Sequence, residues 1–194
     1  MEKVCSGFGH RTVFGNIELA VQACVIQAIE MGCTVFYTGA MGEFDRVFIS
    51  AVRAAKRRYP ALGLRLICVK PYLTNEMNTH KAQYDALYDD VLVPEKLVGL
   101  HYKRAIPARN RWMVDRSDMV IGYVIRQTGG MRQFNTPGHR GKWYALLLPA
   151  INESGLMSAS SPTQNLCRVR CPHRTAEVTL CMGAGDFVTD LPPL

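Results

Sequence analysis

The segment Cys33-Thr-Val-Phe-Tyr-Thr38 lacks the polar alternation of a strand with one wet face, and it runs directly into Gly39-Ala-Met-Gly42. A continuously apolar strand is buried on both sides, the usual condition of a parallel sheet covered by helices. The neighbouring sequence supplies those helices. Before this strand, Ile17, Val21, Val25 and Ile29, with Ala20, Cys24 and Ala28, recur at helical spacing from Asn16, and Gly32 is a natural stop. After it, Phe44, Val47, Phe48, Ala51, Val52 and Ala55 mark the buried face of a second helix whose other side carries Arg46, Arg53, Lys56 and Arg57.

Flanking strands are expected over 3–8 and 64–69, then a weaker helix over 76–87 and a short strand over 90–94. A helix starting near Pro107 and reaching Arg116 leads into the apolar strand 119–124, and 143–148 is one last strand candidate. Proline is comfortable in a first helical turn, hence that start. Alternating strands and helices imply parallel pairing through right-handed crossovers. The expected fold is therefore α/β, a Rossmann-like open, mostly parallel, doubly wound sheet. Residues 1–151 are expected to form this domain. Residues 152–194 show no sustained period and are expected to form an irregular or partly disordered C-terminal tail.

Composition narrows the function classes. Apolar residues make up 48% and charged residues 20%, ordinary for a globular protein. No run of about 18 apolar residues offers a membrane span, and the opening MEKVCSGFGH lacks a signal-like apolar region. The expected location is the cytoplasm. Seven cysteines fit free thiols in a reducing compartment. Cys167, Cys171, Cys181 and His173 lack the paired spacing of a zinc ribbon, so neither a metal nor a cofactor is assigned. Residues 1–100 carry 11 Lys+Arg against 10 Asp+Glu, whereas residues 101–194 carry 12 against 6. The basic second half suits either phosphate ligands or a solvated basic surface.

In open α/β sheets, ligands bind outside the carboxyl ends of the strands. Unusual residues recur there: Gly7, Gly9, His10 and Arg11 after the first strand, Thr38 to Asp45 after the second, Pro71-Tyr72 after the third, and Thr128-Gly129-Gly130 after the late one. Gly39 and Gly42 bracket a turn into a helix whose free N–H groups would favour a phosphate. Thr38 adds a hydroxyl, and Arg11 suits a bidentate phosphate contact. His10 is placed to donate a hydrogen bond or move a proton. Asp45 suits either a ribose hydroxyl or the helix amino end. In Arg109-Asn-Arg-Trp-Met-Val-Asp115, Arg111 and Asp115 have salt-bridge spacing, and Trp112 and Met113 supply core. Asn110 is left unexplained by that packing.

Together, Gly9-His10-Arg11, Phe36 to Asp45, Arg109 to Asp115 with Ser117-Asp118, and Gly129-Gly130 resemble the DUF1273 (YpsA-like) family. That family belongs to the SLOG superfamily, with the DNA-processing protein DprA and the LOG cytokinin-activating enzymes. The similarity covers roughly residues 3–130. It implies a Rossmann-like domain binding nucleotides or nucleotide-derived signals, with Gly9, His10, Arg11, Thr38, Gly39, Gly42, Asp45, Arg109, Asn110, Gly129 and Gly130 as the pocket. Two departures stand out. Ala40 replaces a usual second glycine, and Met131 to Gly138 interrupts the helix that normally follows Gly130.

The leading expectation is thus a sensor or regulatory module for a small nucleotide ligand, with homo-oligomerisation left open. Two alternatives remain: a hydrolase acting on an N-glycosidic or phosphate bond, and a DprA-like single-stranded nucleic-acid binder. No catalytic residue is assigned. Thr128-Gly-Gly-Met-Arg lacks the third glycine and the acid of a LOG-type motif, and aromatics interleaved with Lys/Arg are sparse.

Overall fold

The computed structural model describes residues 2–123, together with the backbone of 143–147, 167–170 and 177–180. Five strands, β1 (Lys3–Gly9), β2 (Cys33–Thr38), β3 (Arg65–Val69), β4 (Asp90–Leu92) and β5 (Met119–Tyr123), form an all-parallel sheet in the order β4-β3-β2-β1-β5. Beyond β5 the sheet continues with β6 (Trp143–Leu147), parallel to β5, then β7 (Cys167–Arg170), antiparallel to β6, and β8 (Glu177–Leu180), antiparallel to β7. The last two strands fall inside 152–194, most of which lies outside the described residues.

Chain order explains where a ligand could sit. The connections from β1 to β2, β3 and β4 step in one direction, and the return to β5 passes to the far side of β1. The strand order therefore reverses between β1 and β5, which makes the carboxyl ends of these two strands the topological switch point.

Helices α1 (Glu18–Glu30) and α2 (Glu43–Arg58) pack together on one sheet face. Val21, Cys24, Val25, Phe44, Phe48 and Val52 close there over Cys5, Phe36, Leu66 and Ile121. The other face is covered by α5 (Tyr102–Arg116), with Met113 and Val114 against Phe8, Val69 and Val120. Short helices α3 (Asn75–Thr79) and α4 (Lys81–Leu87) connect β3 to β4. Every residue of β5 is buried, as expected of a strand covered on both faces.

Glycine on β1 sets the distance between sheet and helix. A Cβ on Gly7 would lie 2.7 Å from the Phe48 ring, and one on Gly9 would lie 2.2 Å from Phe44 Cγ. Without those side chains, α2 lies against bare backbone, the close helix–strand approach that glycine permits. At the end of α1, Gly32 has φ 88°, the left-handed conformation that stops a helix.

Helix α5 begins at Tyr102, five residues before the position expected from Pro107. His101 caps it, its Nδ1 accepting from the Lys103 N–H at 3.4 Å. Pro107 removes the N–H that would reach the Lys103 carbonyl, but both residues are on the exposed side. Water can take the freed carbonyl there, so the interior proline is tolerated. Strand β4 ends at Leu92 rather than at Pro94, which has no N–H to donate to a ladder.

Candidate functional site

The loop after β1 is anchored at three points. The Arg11 carbonyl accepts the Glu43 N–H at 3.0 Å, and Glu43 Oε2 accepts the Val13 N–H at 2.8 Å. The Tyr123 hydroxyl accepts from the Phe14 N–H and donates to the Phe14 carbonyl, both at 3.1 Å. A tyrosine ending an apolar strand needs a partner for its hydroxyl, and this loop provides it. The Arg11 side chain is exposed, whereas His10 is half-buried with its ring edge-on to Tyr123 at 6.5 Å. His10 Nε2 is buried and has no hydrogen-bond partner among the described residues. Gly42 brings the second loop against the first: a Cβ there would lie 2.9 Å from Arg11 Cα.

The turn after β2 has already found its anion. Asp45 is buried, and its carboxylate accepts the Met41 N–H at 2.8 Å and the Thr38 hydroxyl at 3.3 Å. The Gly42 N–H is a further donor to it. Burial pushes the Asp45 carboxyl above the usual carboxylate range, against these donors and the positive charge of Arg109, which all favour the ion. Backbone donors that the sequence offers to a phosphate are thus engaged by Asp45, and an incoming phosphate would compete with it. Ala40 closes the same turn at φ 51°, a left-handed conformation that costs an L-residue about 1–2 kcal/mol. Ala40→Gly relieves that cost and gives back roughly 0.4–1 kcal/mol through the unfolded chain. Urea unfolding should show a net gain of about 0.5–1 kcal/mol.

Arg109, 4% exposed, is the centre of the rim. Its Nη1 donates to the carbonyls of Gly39 and Val69, both at 3.1 Å, tying the ends of β2 and β3 together. Its Nε donates to Asn110 Oδ1 at 2.9 Å, which explains the residue that helix packing alone does not. A Cβ on Gly39 would lie 2.4 Å from Nη1, so this glycine makes room for the guanidinium. Burial lowers the Arg109 pKa and the nearby Asp45 opposes that shift, leaving a cation in the site.

The structure brings together Gly9, His10, Arg11, Thr38, Gly39, Gly42, Asp45, Arg109 and Asn110 at the carboxyl ends of β1, β2 and β3. Gly129 and Gly130 lie outside the described residues. The Ser117-Asp118 pair serves the scaffold: Ser117 Oγ meets Ser6 Oγ, and Asp118 Oδ2 accepts the Val4 N–H at 2.8 Å. Cys5, Cys24, Cys33 and Cys68 are buried and form no disulfide, and burial pushes Cys33 and Cys68 up to about 11, which leaves those two protonated and inert at neutral pH. Among the described residues no helix is long and apolar enough to cross a membrane.

No protein-family model matches the sequence, and no curated protein does. Solved structures do match. DNA processing protein A (DprA) from Streptococcus pneumoniae aligns with a TM-score of 0.53 at 19% identity, over 81% of this chain and 54% of that one. DprA from Helicobacter pylori, described for its single-stranded DNA binding mode, aligns at 0.50 with 17% identity, over 78% of this chain and 67% of that one. The chain thus spans about half the length of the pneumococcal protein. A parallel sheet in the order β4-β3-β2-β1-β5, flanked by helices, is accordingly a Rossmann-like α/β fold similar to that of DprA.

Proposed function

We propose that this protein binds a nucleotide or nucleotide-derived ligand at the carboxyl-end rim, as a sensor or regulatory module. The observation that carries the reading is His10 at the switch point. Its buried Nε2 has no partner among the described residues, and it stands beside the exposed guanidinium of Arg11 on an anchored loop. A buried polar atom without a partner costs about 1–3 kcal/mol, which a bound ligand would recover. Because Asp45 occupies the turn after β2, the ligand phosphate is assigned to Arg11 and the loop after β1. The finer relationship to the YpsA-like group rests on the Arg109 to Asp115 run, and it supports the same pocket.

Thermal unfolding with AMP, ADP and ADP-ribose tests this. A ligand at 100 times its Kd should add about 2.7 kcal/mol. Arg11→Gln, on an exposed side chain, should leave the fold intact and weaken binding at least tenfold, since a charge-assisted hydrogen bond contributes roughly 1.5–3 kcal/mol. The reading fails if none of these nucleotides stabilises the parent protein, or if Arg11→Gln binds as well as the parent.

A hydrolase is less well supported, because both acids at the turn are already held: Glu43 by the Val13 N–H and Asp45 by Met41 and Thr38. The single-stranded nucleic-acid reading has one observation in its favour besides the DprA-like fold. Phe14 and Tyr72, in the loops after β1 and β3, are 48% and 40% exposed and offer stacking surface beside the rim.

A further inference from the structure

We propose that the carboxyl-end rim docks on an anionic membrane surface, its apolar loop tips entering the headgroup layer and its cations meeting lipid phosphates. Such docking is independent of nucleotide binding. Nine large apolar side chains are exposed among the described residues. Eight of them belong to the loops after β1, β2, β3 and β4 or to the first turns of the helices that follow. Leu87, at the end of α4, is the exception. Leu73, Val98 and Tyr102 stand out most, at 77%, 74% and 59% exposure. Exposed apolar side chains scattered singly over a surface need no explanation, but their gathering at one end marks an interaction site.

Helix α5 makes this end protrude. Arg109 is level with the ends of β2 and β3, whose Gly39 and Val69 carbonyls it binds. From there α5 descends toward Asp118, which pairs with Val4 near the start of β1. The residues from Tyr102 to Arg109 therefore project beyond the sheet by about 10 Å, with Tyr102 at their head.

Charge narrows the partner. The chain carries a formal +7, and apolar tips have a cation within three residues: Arg11 before Phe14, Lys70 before Leu73, Lys96 before Val98 and Lys103 after Tyr102. Among the described residues none of these four makes an ion pair, whereas at the other end of the sheet Arg65 pairs with Glu2. Of the described acids at this end, Glu43 holds the Val13 N–H and Asp45 is buried, while Glu18 and Glu95 are exposed. A protein interface gathers its apolar side chains in a continuous centre depleted of lysine, but here they stand on separate tips interleaved with Lys and Arg. A two-fold contact between copies of this chain would set the same cations against one another. An anionic bilayer suits both features. Aromatic and aliphatic tips gain by leaving water at the headgroup boundary, and each nearby Lys or Arg gains from the negative leaflet.

The test is flotation of the full chain with vesicles of phosphatidylcholine, alone or mixed with phosphatidylglycerol. The parent should bind the mixed vesicles at least tenfold more tightly, a difference that shrinks at high salt. L73S/V98S/Y102S and, separately, K96Q/K103Q/R104Q should each lose at least tenfold on the mixed vesicles. L87S, outside the rim, should bind within threefold of the parent. Brominated lipid chains should quench Y102W beyond any quenching of the parent, which reports entry rather than adsorption. L73S/V98S/Y102S should keep the parent's melting temperature and its thermal response to AMP, ADP or ADP-ribose, so vesicle binding and nucleotide binding fail separately. The proposal is overturned if the parent binds neither vesicle or binds both alike, if either triple variant floats like the parent, or if Y102W shows no added quenching. It is equally overturned if the parent self-associates without vesicles and L73S/V98S/Y102S abolishes that instead.

Discussion

Replacing Arg109 by Met should cost about 3–5 kcal/mol, because two strand-end carbonyls lose a charged donor and the nearby buried Asp45 loses a favourable positive charge. Four hydrogen bonds go with the guanidinium, to Gly39 O, Val69 O, Asn110 Oδ1 and the Met41 sulfur, and the two carbonyls are left without that donor. Asp45 also loses the cation that favours its ionised form. The sign of the pH dependence follows. Asp45 already titrates above 3.8 in the folded protein, and losing Arg109 raises it further. A carboxyl with a raised folded pKa favours the folded state most when protonated. The deficit of R109M should therefore be largest at neutral pH and shrink as pH falls through the raised Asp45 value. Adding Asp45→Asn should recover part of the loss, giving a coupling of about 1–3 kcal/mol in a double-mutant cycle. Urea unfolding at pH 7 and pH 5 measures both effects, and strict additivity with a pH-independent deficit would contradict the electrostatic account.

Gly9→Ala should destabilise by about 3 kcal/mol, the upper end of the range for overpacking. Its Cβ would sit 2.2 Å from Phe44 Cγ and 2.4 Å from Phe44 Cβ, far inside carbon–carbon contact distance. Relief requires α2 to retreat from β1. Phe44 stacks on Tyr123 at 6.2 Å, and Tyr123 holds the loop after β1 through Phe14. The disturbance should therefore reach the rim, and the response to nucleotide should fall along with stability. Phe44→Leu in the same chain should restore part of both. If Gly9→Ala melts like the parent, close helix–strand approach is not what this glycine provides.

Much of the rim was legible because it follows from periodicity. The continuously apolar 33–38 segment demanded helices on both sheet faces, and the spacing of Phe44, Phe48, Val52 and Ala55 supplied one. Strand–helix order then placed the glycine turns on one edge, since parallel strands deliver all their carboxyl ends to the same side. The start of α5 was misjudged because a proline is judged locally, whereas its tolerance depends on which carbonyl it frees and whether water reaches it.

Sequence alone could name Asp45, Arg109 and the glycines without distinguishing ligand contact from scaffold. A carboxylate next to a glycine turn looks the same whether it faces a ribose or its own backbone. Only the tertiary structure decides, by bringing Met41 N–H and the Thr38 hydroxyl onto Asp45 and setting Arg109 between two strand ends 40 and 70 residues away. Gly9 and Gly39 likewise acquire their meaning from partners distant in sequence, Phe44 and Arg109. Local spacing dictates which residues share a face, because that is a property of one helix or strand. Which buried donor meets which acceptor is settled only when separate elements close on one another and each polar group must replace the water it loses.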